Sequence, residues 1–314
     1  MTVITDELLR PQYLSQVIGM PKIKTRLRTV ITAALKTGAK LENVLLSGPA
    51  GCGKSLLAHV IAREMGLNTA VTTGADLAKD AYQVKRMVVH GSLLFIDEIH
   101  QLSKKSQDIL LPWLEQGQVK MTWWEKKGTR YVGIDKKADF ICIGATTQVG
   151  RLQDPFVQRF KLHLILDLYS VNDLAQIAAR SAQLLQLNVV QEGLRIIAER
   201  SKGTPRITNS ILWYIQQYGI ANSCRQLEKN DVLFALKELG VGKLGLTEQD
   251  RRYLKRLARS NKPVGLTTLA LSLSESPLTL QTIEGYLMRQ ELVEVTSRGR
   301  QLTVRGSRFL KGEL

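Results

Sequence analysis

A short glycine-rich stretch limits the possible folds of this chain more than any other feature of its sequence. The stretch follows an apolar run, Val44 to Leu46, and precedes a segment of helical periodicity from about Ser55 to Met65. Such an order predicts a buried strand, a loop and a helix. Glycines let backbone N–H groups turn inward around phosphate oxygens, and the helix adds its positive N-terminal end. The match to G-x-x-x-x-G-K-[ST] is complete, at Gly48, Pro49, Ala50, Gly51, Cys52, Gly53, Lys54 and Ser55.

This loop predicts a binding site for ATP and Mg²⁺. Lys54 is expected to reach the β- and γ-phosphates, and the Ser55 hydroxyl is expected to bind the metal ion. The alternative is a glycine turn of no function, which the strand before it and the helix after it make improbable.

Two acidic residues follow a second apolar run, Leu93 to Ile96. A continuous apolar run is typical of a parallel strand buried on both faces, and ligands bind at the carboxyl ends of such strands. Asp97 is therefore predicted to hold Mg²⁺ through water, and Glu98 to orient the attacking water as the base. The alternative is a surface acidic pair at a strand end.

A third strand is predicted over Asp139 to Thr147. Its last residues, Thr146 and Thr147, are both candidates for contact with the γ-phosphate or the attacking water. Taken alone, this segment is a weak signal and would suit an ordinary end of a strand.

Composition indicates the kind of partner that the chain binds and the cellular location that suits it. The 314 residues carry a net charge of +16, which favours a polyanionic partner such as nucleic acid over a merely solvated basic surface. Cys52, Cys142 and Cys224 are far apart and odd in number, which predicts no disulfide framework and a reducing, cytoplasmic location. No apolar run approaches the length of a membrane span, so no membrane association is expected.

The C-terminal half predicts helices followed by a winged helix. Apolar positions recur three and four residues apart from 168 to 242, and Trp213 and Tyr214 fall on this pattern as expected core residues. Later, "LVEVTSRGRQLTVRG" alternates around a turn, as a hairpin wing should. Four arginines of this region are predicted to contact DNA phosphates, although winged helices also bind proteins. They are Arg298, Arg300, Arg305 and Arg308.

A further hairpin is predicted between the second and third strands. The segment 118–137 alternates about a Lys-Lys-Gly turn and contains adjacent tryptophans, Trp123 and Trp124. Neighbouring strand residues face opposite sides, so at least one indole is a candidate anchor for a partner. Burial of both is the alternative.

Several blocks in fixed order resemble one family. "LRPQYLSQVIG", "LFIDEIHQL", "IGATTQVG", "KGTPRITN" and "PVGLTTLALSL" are similar to blocks of the AAA+ ATPases and, within them, of the RuvB-type Holliday-junction branch-migration motors. The resemblance implies an α/β fold: a P-loop parallel sheet with helices on both faces in 1–167, a helical lid in 168–242 and a winged helix in 243–314.

The resemblance also implies further site residues. Those expected near the adenine are Leu9, Arg10, Ile18 and Tyr169, for which core packing is the alternative. Pro205 and Arg206 match the sensor-two segment, whose arginine approaches the γ-phosphate, although Gly-Thr-Pro is also an ordinary helix start. Arg159 matches the arginine finger that enters a neighbouring subunit's site, and a plain surface arginine is the alternative.

Function and partners follow from the same resemblance. It implies an ATP-driven hexameric ring that migrates four-way junctions of double-stranded DNA in recombination and repair, with a RuvA-like partner at the 118–137 hairpin. Five residues depart from the usual pattern of the family without removing a hydrolytic group, and they suggest a diverged relative: Val17, Met20, Gln101, Gln148 and Val157. Two other functions stay open: a clamp or helicase loader, and a nucleotide-controlled adaptor that only binds DNA or a partner.

Overall fold

Contacts between residues divide the chain into two units. The computed structural model describes residues 9–88, 91–127, 130–260 and 262–313, and within 121–136 it describes the backbone alone. By contacts, the first unit comprises Met1–Leu185 with Gly203–Arg206, and the second comprises Gln186–Lys202 with Ile207–Leu314. The predicted domain boundaries at 167 and 242 stay predictions.

A parallel sheet organises the first unit. Its path of neighbouring strands is β2-β3-β5-β1-β6, and every pair along this path is parallel. A sixth strand, β4, pairs with β5 alone. The strands are β1 (Val44–Ser47), β2 (Asn68–Thr73), β3 (Ser92–Asp97), β4 (Gln118–Lys127), β5 (Arg130–Thr146) and β6 (Leu162–Ile165).

Helices cover both faces of this sheet, as predicted. Successive side chains of a strand point to opposite faces, and accordingly Val44 and Leu46 enter one hydrophobic core while Leu45 enters the other. Leu27 and Leu57, from the first two helices, pack in the first core. The helices of this unit are α1 (Pro21–Thr37), α2 (Lys54–Glu64), α3 (Gly74–Lys79), α4 (Val84–Met87), α5 (Lys104–Gln116), α6 (Asp154–Val157) and α7 (Val171–Leu184).

Strand β5 belongs both to the sheet and to a hairpin. Its last residues pair in parallel with β3 and β1, whereas its first ten pair with β4 in antiparallel register, from Lys127 opposite Arg130 to Gln118 opposite Asp139. At the base of this hairpin, the Phe140 N–H donates to the Gly117 carbonyl at 3.0 Å. The predicted insertion is therefore present as a pair of strands.

The second unit contains helices followed by a small winged-helix motif. Three helices, α11 to α13, precede a two-stranded hairpin, which confirms the predicted winged helix. The elements are α8 (Gln191–Glu199), α9 (Pro205–Ala221, whose first two residues group with the first unit), α10 (Lys229–Glu238), α11 (Glu248–Ala258), α12 (Leu266–Leu273), α13 (Pro277–Arg289), β7 (Val293–Thr296), β8 (Gly299–Leu302) and α14 (Val304–Leu310).

The wing is shorter than its sequence pattern predicts. Strand β8 ends at Leu302, because the Thr303 hydroxyl accepts from the Gly306 N–H and caps the N-terminus of α14. Arg305 and Arg308 therefore lie on a helix rather than on the wing, and their predicted contact with DNA stays a prediction.

The predicted burial of Trp213 is also wrong. The buried stripe of α9 runs through Thr208, Ile211, Leu212, Ile215 and Gly219. Trp213 falls beside this stripe and is 58% exposed. Tyr214 is half-buried. None of the helices in the described ranges has both the length and the apolarity needed to cross a membrane.

Candidate active site

The phosphate-binding loop takes a shape that only glycine allows at three positions. Gly48, Gly51 and Gly53 have φ values of +142°, +79° and +96°, which side-chain-bearing residues rarely adopt. A Cβ on Gly48 would come 2.2 Å from the Leu166 carbonyl oxygen. Gly53 has no side chain that could cap α2, and this leaves the N-terminal amide groups of the helix able to bind phosphate oxygens.

The ammonium group of Lys54 lies inside the loop. Its Nζ donates to the carbonyl oxygens of Gly48 at 2.9 Å and Pro49 at 3.0 Å. Burial lowers the pKa of Lys54, while the carboxylates of Glu98 and Asp97 act in the opposite direction. The lysine is thus held beside the two predicted acidic groups, at the end of the loop where the helix begins.

Ser55 and Asp97 supply two oxygen ligands at one point. The Ser55 hydroxyl lies 3.5 Å from Asp97 Oδ2, and Asp97 Oδ1 accepts the Glu98 N–H at 3.0 Å. Mg²⁺ binds oxygen ligands and usually uses only one or two protein groups. A hydroxyl and a carboxylate this close fit such an ion.

Glu98 has a strained backbone and a well-contacted carboxylate. Its φ and ψ are 44° and 48°, in the left-handed region, which is uncommon for residues other than glycine and clusters at functional sites. The Thr147 hydroxyl donates to Glu98 Oε2 at 3.2 Å. Of the two candidate threonines, it is Thr147 that lies beside Glu98, because Thr146 is fully buried.

The sequence reasoning missed His100. Its Nδ1 lies 3.1 Å from Glu98 Oε2 and 3.1 Å from Thr146 Oγ1. Burial lowers the pKa of His100, outweighs the opposite effect of the Glu98 carboxylate and so favours the neutral ring. A neutral imidazole protonated at Nδ1 can donate to the carboxylate. The sequence does place His100 two residues after Glu98, and this position could have indicated a role beside the carboxylate.

Tyr169 lies beside the loop. Its backbone N–H donates to Gly203 O at 2.9 Å, and its hydroxyl is 3.7 Å from the position of a Cβ on Gly53. Burial raises the pKa of Tyr169. The hydroxyl donates to Met20 Sδ at 3.6 Å, so a residue that departs from the family pattern is in contact with this tyrosine.

The other residues expected near the adenine differ in burial. Leu9 is buried and its carbonyl accepts from Arg180 at 2.8 Å. Arg10 is exposed and Ile18 is half-buried. Core packing therefore stays an alternative for Leu9.

Arg206 lies near the loop from the start of α9. Pro205 is the first residue of this helix. The Cβ of Arg206 is 3.3 Å from the position of a Cβ on Gly51, and the arginine charge contributes to the lowered pKa of Lys54. The sensor-two segment and the phosphate loop are thus brought together.

Arg159 has contacts of a different kind. Its Nη2 lies 3.6 Å from Glu115 Oε1, its side chain is 31% exposed, and its backbone carbonyl accepts from Asn43 at 3.2 Å. The buried Nε of Arg159 has no hydrogen-bond partner among the described residues. These contacts do not include the phosphate loop.

The wing arginines separate into distinct environments. Arg298 is exposed at the turn between β7 and β8. Arg300 is paired with the carboxylate of Glu284 at 2.9 and 3.3 Å, and the two side chains are 17% and 6% exposed. The Tyr253 hydroxyl donates to the same carboxylate at 2.8 Å. Arg300 is therefore paired within its own domain, and its predicted contact with DNA stays a prediction.

The two arginines of α14 have exposed acidic neighbours. Arg305 lies 3.4 Å from Glu291, and Arg308 lies 3.5 Å from Glu313. The side chains of Trp123 and Trp124 lie outside the described residues, so their predicted role stays a prediction.

Three family models together match almost the whole chain. The Holliday junction DNA helicase RuvB P-loop domain matches residues 9–166, the RuvB AAA lid domain matches residues 169–242, and the RuvB C-terminal winged helix domain matches residues 243–311.

Relatives and solved structures agree with these matches. A Holliday junction branch migration complex subunit RuvB from Methanoregula boonei is 37% identical over 312 residues, which are 98% of this chain and 93% of the relative. The structure of the Thermotoga maritima RuvB Holliday junction branch migration motor superposes with a TM-score of 0.85 at 34% identity, covering 97% of this chain and 98% of that one. A single-residue variant of the same Thermotoga protein gives a TM-score of 0.86 at 33% identity, covering 98% and 99%.

Proposed function

This chain belongs to the RuvB family of Holliday junction branch-migration ATPases, and from that premise we propose how its own residues drive the migration of four-way DNA junctions in recombination and repair. One observation carries the proposal: the phosphate loop, Lys54, Asp97 and Glu98 meet at one edge of the parallel sheet. ATP is the proposed substrate.

The loop and its lysine hold the triphosphate. The amide groups of the loop and of the α2 N-terminus attract phosphate oxygens, and Lys54 exchanges its two loop carbonyls for them. Ser55 and Asp97 would hold Mg²⁺, which supplies positive charge against the phosphates. Leu9, Arg10, Ile18 and Tyr169 would surround the base, with Tyr169 best supported by its contacts near Gly53.

Glu98 is the proposed base for the attacking water. Thr147 and His100 both contact its Oε2, which restricts the carboxylate to one orientation. A positioned base lowers the barrier because the water is already oriented for attack. Arg206, near Gly51, is proposed to approach the γ-phosphate.

Arg159 is proposed to complete the site of a neighbouring subunit in a hexameric ring. Its contacts lie with Glu115 and Asn43 of its own chain rather than with its own loop. An arginine supplied to another subunit stabilises charge on the transferred phosphoryl group. The alternative of a plain surface arginine predicts no loss of hydrolysis when it is removed.

Double-stranded DNA and a RuvA-like protein are the proposed partners. The net charge of +16 suits a polyanion, and Arg298 at the wing turn is exposed for phosphate contact. The Methanoregula relative is named as a subunit of a complex, and the 118–137 hairpin is the proposed contact to such a partner.

We also propose 1–167, 168–242 and 243–314 as the domains. The cytoplasmic location stays a prediction.

The test is hydrolysis and branch migration with synthetic junctions. We expect four-way DNA to stimulate ATP hydrolysis and the protein to convert the junction into two duplexes, with rings visible by electron microscopy. Stimulation that requires a clamp ring would indicate a loader instead. DNA binding without any hydrolysis would indicate an adaptor and overturn the proposal.

A further inference from the structure

Helix α11 of the winged-helix motif carries basic residues along one face. Four cations occur at spacings of three and four residues, which places them on the same side of a helix. The opposite face, with Tyr253, Leu254 and Leu257, is buried in the domain core. We name this row the α11 basic stripe, and its members are Arg252, Lys255 and Arg256 on α11 and Arg259 at its C-cap, where the backbone is still helical.

The charges of this stripe are not neutralised by acidic partners. Within the described ranges, none of its four members forms an ion pair, whereas the adjacent Arg251 lies 3.3 Å from Glu248 and also donates to Gly240 O. Like charges three and four residues apart repel one another and weaken a helix. Acidic groups near the start of α11 have other partners: Glu248 is paired with Arg251, and the Glu275 carboxylate accepts from Gln249 at 2.7 Å.

Two members of the stripe are oriented by neighbouring polar groups of α12. Arg256 Nε donates to Ser272 Oγ at 3.1 Å, and Arg252 Nη2 lies 3.4 Å from Leu273 O. Each contact uses only part of a guanidinium group with five N–H donors. The remaining donors are free for a ligand, while Lys255 and Arg259 are exposed.

We propose that the α11 basic stripe binds the phosphate backbone of duplex DNA, at a site distinct from the wing. From Arg252 to Arg259 the backbone advances about 10 Å, which equals the rise along the duplex axis of roughly three phosphates of one strand at about 3.4 Å each. All four members of the stripe are cations, which suit phosphate groups, whereas aromatic anchors are typical of protein interfaces. This inference rests on the proposed function, because it assigns part of the DNA contact.

The test removes Lys255 and Arg259, the two members of the stripe that have no hydrogen-bond partner among the residues the structure describes. The double variant Lys255→Gln with Arg259→Gln keeps good helix formers and should preserve the melting temperature of the full chain. We expect weaker binding to a fluorescent random-sequence duplex, and a plot of log affinity against log salt that is flatter by about two units. Hydrolysis of ATP without DNA should be unchanged.

A matched control removes two other exposed cations from the same unit. Arg225 and Lys237 are exposed and, among the described residues, form no ion pair. Arg225→Gln with Lys237→Gln changes net charge equally and should leave the salt slope as in the wild type. An equal decrease of duplex affinity and salt slope in both variants would reflect net charge alone and would overturn the proposal.

The failure of this inference can be told from the failure of the proposed function. If the wild type binds duplex and migrates junctions but the stripe variant keeps the full salt slope, the stripe faces solvent or an acidic protein and only this inference fails. If the wild type binds no duplex at all, the proposed function fails with it.

Discussion

Glu98 shows how much of this site depends on a single residue and its immediate contacts. Its backbone is left-handed, its amide is tied to Asp97, and its carboxylate contacts Thr147 and His100. Left-handed conformations cost free energy in residues other than glycine. The surrounding contacts therefore hold Glu98 in a position that it would not adopt alone.

Replacing Glu98 by Gln should separate binding from hydrolysis. The amide keeps the shape of the side chain but cannot take a proton, so ATP binding should persist while hydrolysis falls by roughly 10²-fold or more. Binding of a fluorescent ATP analogue and release of phosphate measure the two steps. Lys54→Ala is the contrasting variant, since it should lose ATP binding itself. Near-normal hydrolysis by the Glu98 variant would contradict the assignment of the base.

The phosphate loop could be predicted from a local sequence pattern, but the hydrogen-bond network around Glu98 could not. Gly48, Gly51 and Gly53 have positive φ values. Because such values favour glycine, the spacing of the glycines in the sequence already indicates the backbone shape of the loop. His100 contacts Thr146, 46 residues further along the chain, only because β3 and β5 are neighbours in the sheet. A single sequence does not contain that strand order.

At the scale of elements, the wing shows what an alternating pattern leaves undecided. Arg298 and Arg300 are two residues apart and would share a face on a continuous strand. The turn occupies Ser297 and Arg298, however, so Arg300 alone lies on β8. Alternation predicts a strand, but the position of the turn decides which side chains enter the core.

Arg298→Ala and Arg300→Ala should therefore change different properties of the protein, DNA binding in the first case and stability in the second. Removal of Arg300 leaves Glu284 buried without its cation, which should destabilise the winged-helix motif by about 3 kcal/mol. Removal of the exposed Arg298 should leave stability unchanged and reduce the salt slope of duplex binding by about one unit. Thermal melts and salt titrations of both variants check this. An unchanged melting temperature for Arg300→Ala would show that the buried pair contributes little.

At the scale of the whole molecule, the proposed active site needs more than one chain. Each subunit would supply a phosphate loop at one interface and Arg159 at another. Closed rings repeat the same heterologous contact around an axis. Oligomer formation then becomes a condition for hydrolysis rather than a separate property of the protein.

Mixed rings test this sharing directly. Lys54→Ala and Arg159→Ala should each be nearly inactive alone. When both variants are assembled together from dissociated subunits, some interfaces pair an intact loop with an intact finger, and part of the ATP hydrolysis should return. No recovery in rings shown to be mixed would assign Arg159 to its own subunit or to the surface.

The hairpin of β4 and β5 is an insertion whose two ends already touch. Gln118 and Asp139 are direct partners in the register, and Phe140 is hydrogen-bonded to Gly117 just below them. A tight turn could therefore replace everything above this pair while β5 keeps its pairing with β3 and β1. In evolutionary terms, such an insertion could be lengthened, shortened or exchanged without moving the catalytic edge of the sheet, and a change of the proposed partner would then leave ATP hydrolysis undisturbed.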